Sequence, residues 1–169
     1  MSCIPVSFNG IALDCGNVGG VRTLYIADVL NVDLVTAAEG EITAITMKDT
    51  EKFKKFEFRK GNANFVSSGS RDDQAGTSFV ETVTTASFNH METAKRKEMQ
   101  SLSTANTYVI AVDENGKAWF IGYGSYNGGT VSANTGAAMS DANNYEVTLT
   151  SRTVELPMEV ASAVLETVI

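Results

Sequence analysis

The chain has 169 residues, with 13 Lys+Arg against 20 Asp+Glu, a formal net charge of -7, one His and two Cys. Those counts cannot complete a four-ligand His/Cys zinc site, and they are too few for a disulfide scaffold. The acidic balance speaks against a broad nucleic-acid grip, while 43% hydrophobic and 20% charged residues describe ordinary globular material for a single domain over 1–169.

The opening Met1-Ser2-Cys3-Ile4-Pro5 has no basic n-region and no apolar h-region, so no signal peptide is expected. No stretch approaches the ~18 apolar residues that cross a bilayer, and no membrane insertion is expected. The expected place of synthesis and assembly is the cytoplasm, with Cys3 and Cys15 as free thiols in a reducing compartment. Cys15 reads as a small packed thiol.

Residues 1–20 are rich in Gly and Asn and read as turns around one short strand, forming an N-terminal arm. Val21–Ala27 is dense in β-branched and aromatic residues and predicts a strand. Glu39-Gly40 marks a turn. Glu41–Met47 follows as a second strand, with an irregularity expected because Ile42 and Ile45 break alternation. In Phe53–Lys60, Phe56 and Phe58 share one strand face with Lys54 and Lys60. Ser67–Gly76 reads as a polar loop.

Thr77–Phe88, rich in Thr and Val, predicts a long strand. Asn89-His90-Met91-Glu92 has capping-box spacing, and Met91, Ala94, Met99 and Leu102 fall on one helical face, so a helix is expected over about 90–103. Thr107–Val112 and Lys117–Tyr123 make a hairpin around Asp113-Glu114-Asn115-Gly116. Residues 122–144 carry no charge except Asp141 and read as a long Gly/Asn loop. Tyr145–Ser151 alternates. Val154, Leu156, Met158 and Val160 alternate in the opposite parity, which places a turn or bulge at Ser151-Arg152-Thr153. Residues 161–169 fit a frayed strand or a short helix. The sum is a mainly β fold: an antiparallel barrel or sandwich of seven to nine strands with one flanking α-helix.

Residues that carry chemistry do not converge. Gly16-Asn17-Val18-Gly19-Gly20 precedes a strand and does not join a strand to a helix, so the dinucleotide-binding mechanism fails. Gly122–Gly129 lacks the Lys-Ser/Thr of a phosphate loop. His90 has Ser87 near it in sequence but no orienting carboxylate. Asp72-Asp73 and Asp113-Glu114 have the chemistry to ligate a hard cation, but the loop around Asp113 is too short for an EF-hand, and hairpin solubility explains it better. No catalytic residue, no metal and no cofactor is expected, and the chain does not read as an enzyme.

The order of features is more specific than any one of them. The segment from Cys15-Gly16-Asn17-Val18-Gly19-Gly20-Val21 to Leu24-Tyr25-Ile26 resembles the opening of tail-tube-like structural proteins of phages and prophages of Bacteroidetes, a group that includes crAss-like phage tail ring or hub proteins. Further along come the long strand, the charged helix with Lys95–Glu98, Asp113-Glu114-Asn115-Gly116 and Trp119–Gly122. The closing run Thr135-Gly136-Ala137-Ala138-Met139-Ser140-Asp141-Ala142-Asn143-Asn144-Tyr145, with Glu146–Thr150 behind it, is the most specific part. The resemblance implies a virion structural protein of the phage tail. It would self-assemble into a ring, hexameric or dodecameric, or into a stacked tube through which genomic DNA passes without specific binding. Other tail or neck proteins would be its neighbours. No obvious long insertion serves as a stacking arm unless 28–50 or 122–144 takes that part.

Charge placement fits a channel. After Glu98 the chain carries two basic and seven acidic residues, and an acidic lumen repels phosphate. Glu114, Glu146, Glu155 and Glu159 are the expected channel-facing acids. The basic stretches 48–60 and 95–97 are expected at subunit interfaces or outside, with Lys54, Arg96, Tyr123, Tyr126 and Met139 as interface residues. The alternative is a non-enzymatic β-sandwich binding module for carbohydrate or host-surface recognition, with Trp119, Tyr123 and Tyr126 stacking on sugar.

Overall fold

A computed structural model describes residues 6–169. Residues 6–20 form no strand, so the short strand expected there is not found among the described residues; Cys3 lies outside them. The elements that follow are β1 Val21–Asp28, a 3-10 turn Val29–Asn31, β2 Val32–Ala38, β3 Glu41–Met47, β4 Lys54–Phe56, β5 Ala63–Asp72 and β6 Thr77–Asn89. Then come α1 Thr93–Thr104, β7 Asn106–Asp113, β8 Ala118–Ile121, β9 Asn127–Asn134, β10 Asn144–Thr153, β11 Met158–Val160 and α2 Ser162–Val168. The fold is mainly β, in one large open sheet of order β2-β3-β11-β8-β7-β9-β10-β6-β5, with β1 on β7 and β4 on β1.

Strand β7 is the hub. One of its sides pairs β1 from Asp28↔Thr107 to Val21↔Asp113. The other side pairs β8 at 109–112 and the start of β9 at 106–107. The sheet therefore forks after β7, and the two branches enclose two cores. Leu24, Ile26, Val109, Ala111 and Ile121 face one core, shared with Met99, Leu102, Val147 and Leu149. Ala27, Ile110, Ala118 and Phe120 face the other, shared with Ile42, Ile45, Phe53, Met158 and Val168. Being buried on both faces explains why Thr107–Val112 is apolar without alternation.

Several expectations meet their physical reason here. The register of β2 on β3 steps from Thr36↔Ala44 to Ala37↔Ile42, so Thr43 is an extra residue. That bulge lets Ile42 and Ile45, three apart, enter the same core. Glu39 and Gly40 both have positive φ, 54° and 82°, the conformation of a tight two-residue hairpin.

Other expectations are corrected. Loop 122–144 contains β9, paired to β10 along its whole length. Ser67–Asp72 is strand, not loop, because it pairs β6 as far as Asp72↔Thr77. Of Phe53–Lys60 only Lys54–Phe56 is strand. Among the described residues there are eleven strands and two α-helices, and β11 pairs β3 in parallel, which departs from a purely antiparallel sheet with one helix. Helix α1 begins at Thr93, and its N-cap is Glu92 with no side-chain cap bond. Asn89 cannot cap it, because Asn89 is still strand, opposite Asn144.

Candidate assembly surfaces

Residues expected to idle chemically are occupied by structural work. Asp72 accepts from the Gln74 and Ala75 amides and closes the β5–β6 turn. Asp113 accepts from the Asn115 and Lys117 amides, and its second oxygen takes the Trp119 Nε1–H at 3.0 Å. Trp119 is half-buried and its indole N–H is pinned to the hairpin. Ser87 Oγ is engaged by Asn144 Nδ2 at 2.6 Å. Cys15 is exposed, not packed. Among the described residues no three His, Cys, Asp or Glu side chains gather to hold a metal, and no helix is long and apolar enough to cross a membrane.

The expected interface residues are dispersed: Lys54, Arg96, Tyr126 and Met139 are exposed, and Tyr123 is half-buried. Tyr123 and Tyr126 precede β9, and Met139 follows it. Strand β9 has eight residues, so roughly 23 Å of strand at ~3.3 Å per residue separates them. They belong to two ends of the molecule and not to one loop. Met139 is fully exposed at the tip of an ordered turn. The Asp141 carboxylate builds that turn by accepting from the Ala137 and Ala138 amides at 2.9 and 2.8 Å. The same two bonds hold the Asp141 pKa below the usual aspartate value.

At the Tyr123 end two grooves adjoin and share Tyr123 and Gly124. One, of about 470 Å³, is lined by Val32, Leu34, Val35, Tyr108 and Phe120. The other, of about 430 Å³, runs past Phe79, Arg152 and Val154. Leu34 in the first groove is 58% exposed and Val154 in the second 84%, and Leu30 and Leu156, close to them in sequence, are 75% and 61% exposed. In the sequence Val154 and Leu156 belong to one alternating run with Met158 and Val160. The structure ends β10 at Thr153 and starts β11 at Met158, so the run is split and only its second half is buried.

The basic stretches converge. Lys54 and Lys55 of β4 and Lys95 of α1 line one groove, of about 390 Å³, floored by Phe56, Phe88 and Met99. Lys55 is paired with Glu57 at 2.6 Å and Lys95 with Glu92 at 3.2 Å. The hydrogen bond and charge of Glu57 raise the Lys55 pKa. Arg96 is exposed and lines a separate groove on the other flank of α1, with Val131 and Tyr145.

The four acids expected along a channel lie in different settings. The Glu114 side chain is 13% exposed and sits 3.6 Å from Arg22. Glu159 pairs with Lys117, whose pKa it raises. Glu146 projects from β10, and in the sheet β9, β7 and β8 stand between it and Glu159. Glu155 is exposed on the turn after β10.

Among the described residues three strands pair on one side only: β5, β2 and the three-residue β4. Strand β5 pairs only β6, and β2 pairs only β3. The ten residues of β5 carry no charge before Arg71 and no proline. An edge that long and that neutral is a template for another strand. No family profile, curated protein or solved structure matches the chain.

Proposed function

We propose that the chain is a structural, non-enzymatic subunit of the phage tail-tube type. Copies close into a ring, or a stack of rings, that forms a channel for genome passage in the virion tail. The observation that carries this reading is the open sheet with a long edge strand, β5, that has no charge over its first eight residues. A monomer protects such an edge with charge, proline or a covering element; a subunit completes it with its neighbour. The exposed apolar side chains near the ends of the sheet support the same reading, because a solitary protein gains nothing from them. Heterologous contacts of this kind close into rings when the rotation closes. The acidic excess after Glu98 then keeps DNA moving through the channel without holding it.

Native mass spectrometry and negative-stain microscopy of the full chain test the reading. A discrete six-fold or twelve-fold closed species is expected, with tubes at high concentration. A monomer or simple dimer at every concentration would refute it.

A further inference from the structure

We infer that the groove between β4 and α1 of one copy receives the Val154-Glu155-Leu156 turn of a second copy, with Lys54 paired to Glu155. This rests on the assembly reading above, and names the surfaces that meet. The groove has an apolar floor of Phe56, Phe88 and Met99 beneath a rim of Lys54, Lys55 and Lys95. It therefore suits a segment that offers apolar side chains beside a carboxylate.

Its own acids do not fill that need. Glu57 is held by Lys55. Glu98 of α1 lines the same groove but comes within 4 Å of no cation among the described residues, and Lys95 is already tied to Glu92 and to the carbonyls of Asn89 and His90. Among the described residues Lys54 is the rim cation with no carboxylate partner within 4 Å.

The complementary segment lies on the same chain. Val154 is 84% and Leu156 61% exposed, and Glu155 between them is exposed and has no cationic partner among the described residues. The turn is fixed by Thr153 Oγ1, which donates to the Glu155 carbonyl at 2.7 Å. Two apolar side chains flanking one free carboxylate match an apolar floor under one free ammonium. The N-terminal arm also exposes Ile11 and Leu13 beside Asp14. It makes no strand pairing, however, and would have to be ordered on binding, at an entropic cost the fixed turn avoids. Groove and turn share no residue, so two different surfaces meet and the contact between copies is head-to-tail.

Charge reversal tests the pairing. Lys54→Glu and Glu155→Lys both fall at exposed positions, and far-UV circular dichroism verifies that each variant folds. Sedimentation velocity of the full chain then reads association. Each single reversal is expected to weaken it by at least about tenfold, as like charges replace a complementary pair. The double variant carrying both reversals is expected to recover, and so is an equimolar mixture of the two singles, because every contact in an alternating assembly is again complementary. Single reversals that leave association unchanged, or a double variant that does not recover, overturn the inference while leaving ring formation itself standing. Loss of association on removing residues 6–14, with the reversals inert, assigns the groove to the arm and also overturns it. A wild-type chain that stays monomeric overturns this inference and the assembly reading together.

Discussion

The Leu102 carbonyl of α1 occupies the space beside Gly129 of β9 that a Cβ would fill. The helix crosses β9 at a residue that has no side chain. That close approach carries Leu102 and Met99 into the first core, where both are buried. Gly129→Ala forces α1 outward or distorts β9. A loss of about 1–3 kcal/mol is expected, the usual cost of overpacking a fixed contact. Urea unfolding measures it, and an unchanged midpoint would show that the helix shifts freely.

Asn127 makes a second internal joint. It is fully buried, and its Nδ2 donates to the carbonyls of Thr107 and Ile121, both at 3.0 Å. These bonds tie β9 to β7 and to the end of β8 at the fork of the sheet. Gly122 is adjacent, with φ of 103° and no room for a Cβ against Asn127 Nδ2. Asn127→Leu keeps the volume and orphans two buried carbonyls. It is expected to cost about 1–3 kcal/mol. Amide exchange should accelerate around 121–128 before it does so in β6, which lies two strands away.

These two contacts also show what was legible in the sequence. The strands β1, β3, β6, β7, β8 and β10 were readable, because each carries β-branched or apolar residues at strand spacing. Strand β9 was not, because Gly128-Gly129 reads as a turn when the partner helix is unseen. Strand β5 was hidden because Ser67–Asp72 is polar on both faces and is held by its pairing to β6 alone. Strand β2 buries only Val32, too little for a pattern. The helix starts later than the capping-box spacing suggests because Asn89 stays in β6 and the Met91 amide before the helix is taken by Asn143 Oδ1, 52 residues away in sequence. For the assembly surfaces, composition identified the two basic stretches, and only the fold shows that Lys54 and Lys95 border one groove.

The Met139 turn should be sensitive to acid. Asp141 is held as a carboxylate by the Ala138 and Ala137 amides, so its folded pKa lies below the unfolded one. A depressed carboxyl contributes order that is fully present above the unfolded value, near 3.9, and is lost as pH falls through the folded value. The turn should therefore persist at neutral pH and open only in strong acid. The Ala137 and Ala138 amide resonances should titrate together with Asp141. Asp141→Ala should release the turn at pH 7 with little change in global stability, since the site is exposed. Amide shifts that do not move in either experiment would show that another contact holds the turn.

The uncharged edge of β5 allows a direct test of assembly through strand pairing. Val66 is 56% exposed on β5, opposite Val83 of β6. Natural edge strands use lysine to discourage a second chain. Val66→Lys places that charge on β5 without entering either core. The monomer should keep its unfolding midpoint to within about 0.5 kcal/mol, as exposed substitutions usually do. The population of closed species in native mass spectra should fall sharply, and added salt should restore part of it by screening repulsion between neighbouring edges. If rings form at the wild-type level with Lys at 66, β5 is not the strand at which copies join. The other long open edge, β2, with its single charged residue Asp33, then becomes the place to put the same lysine.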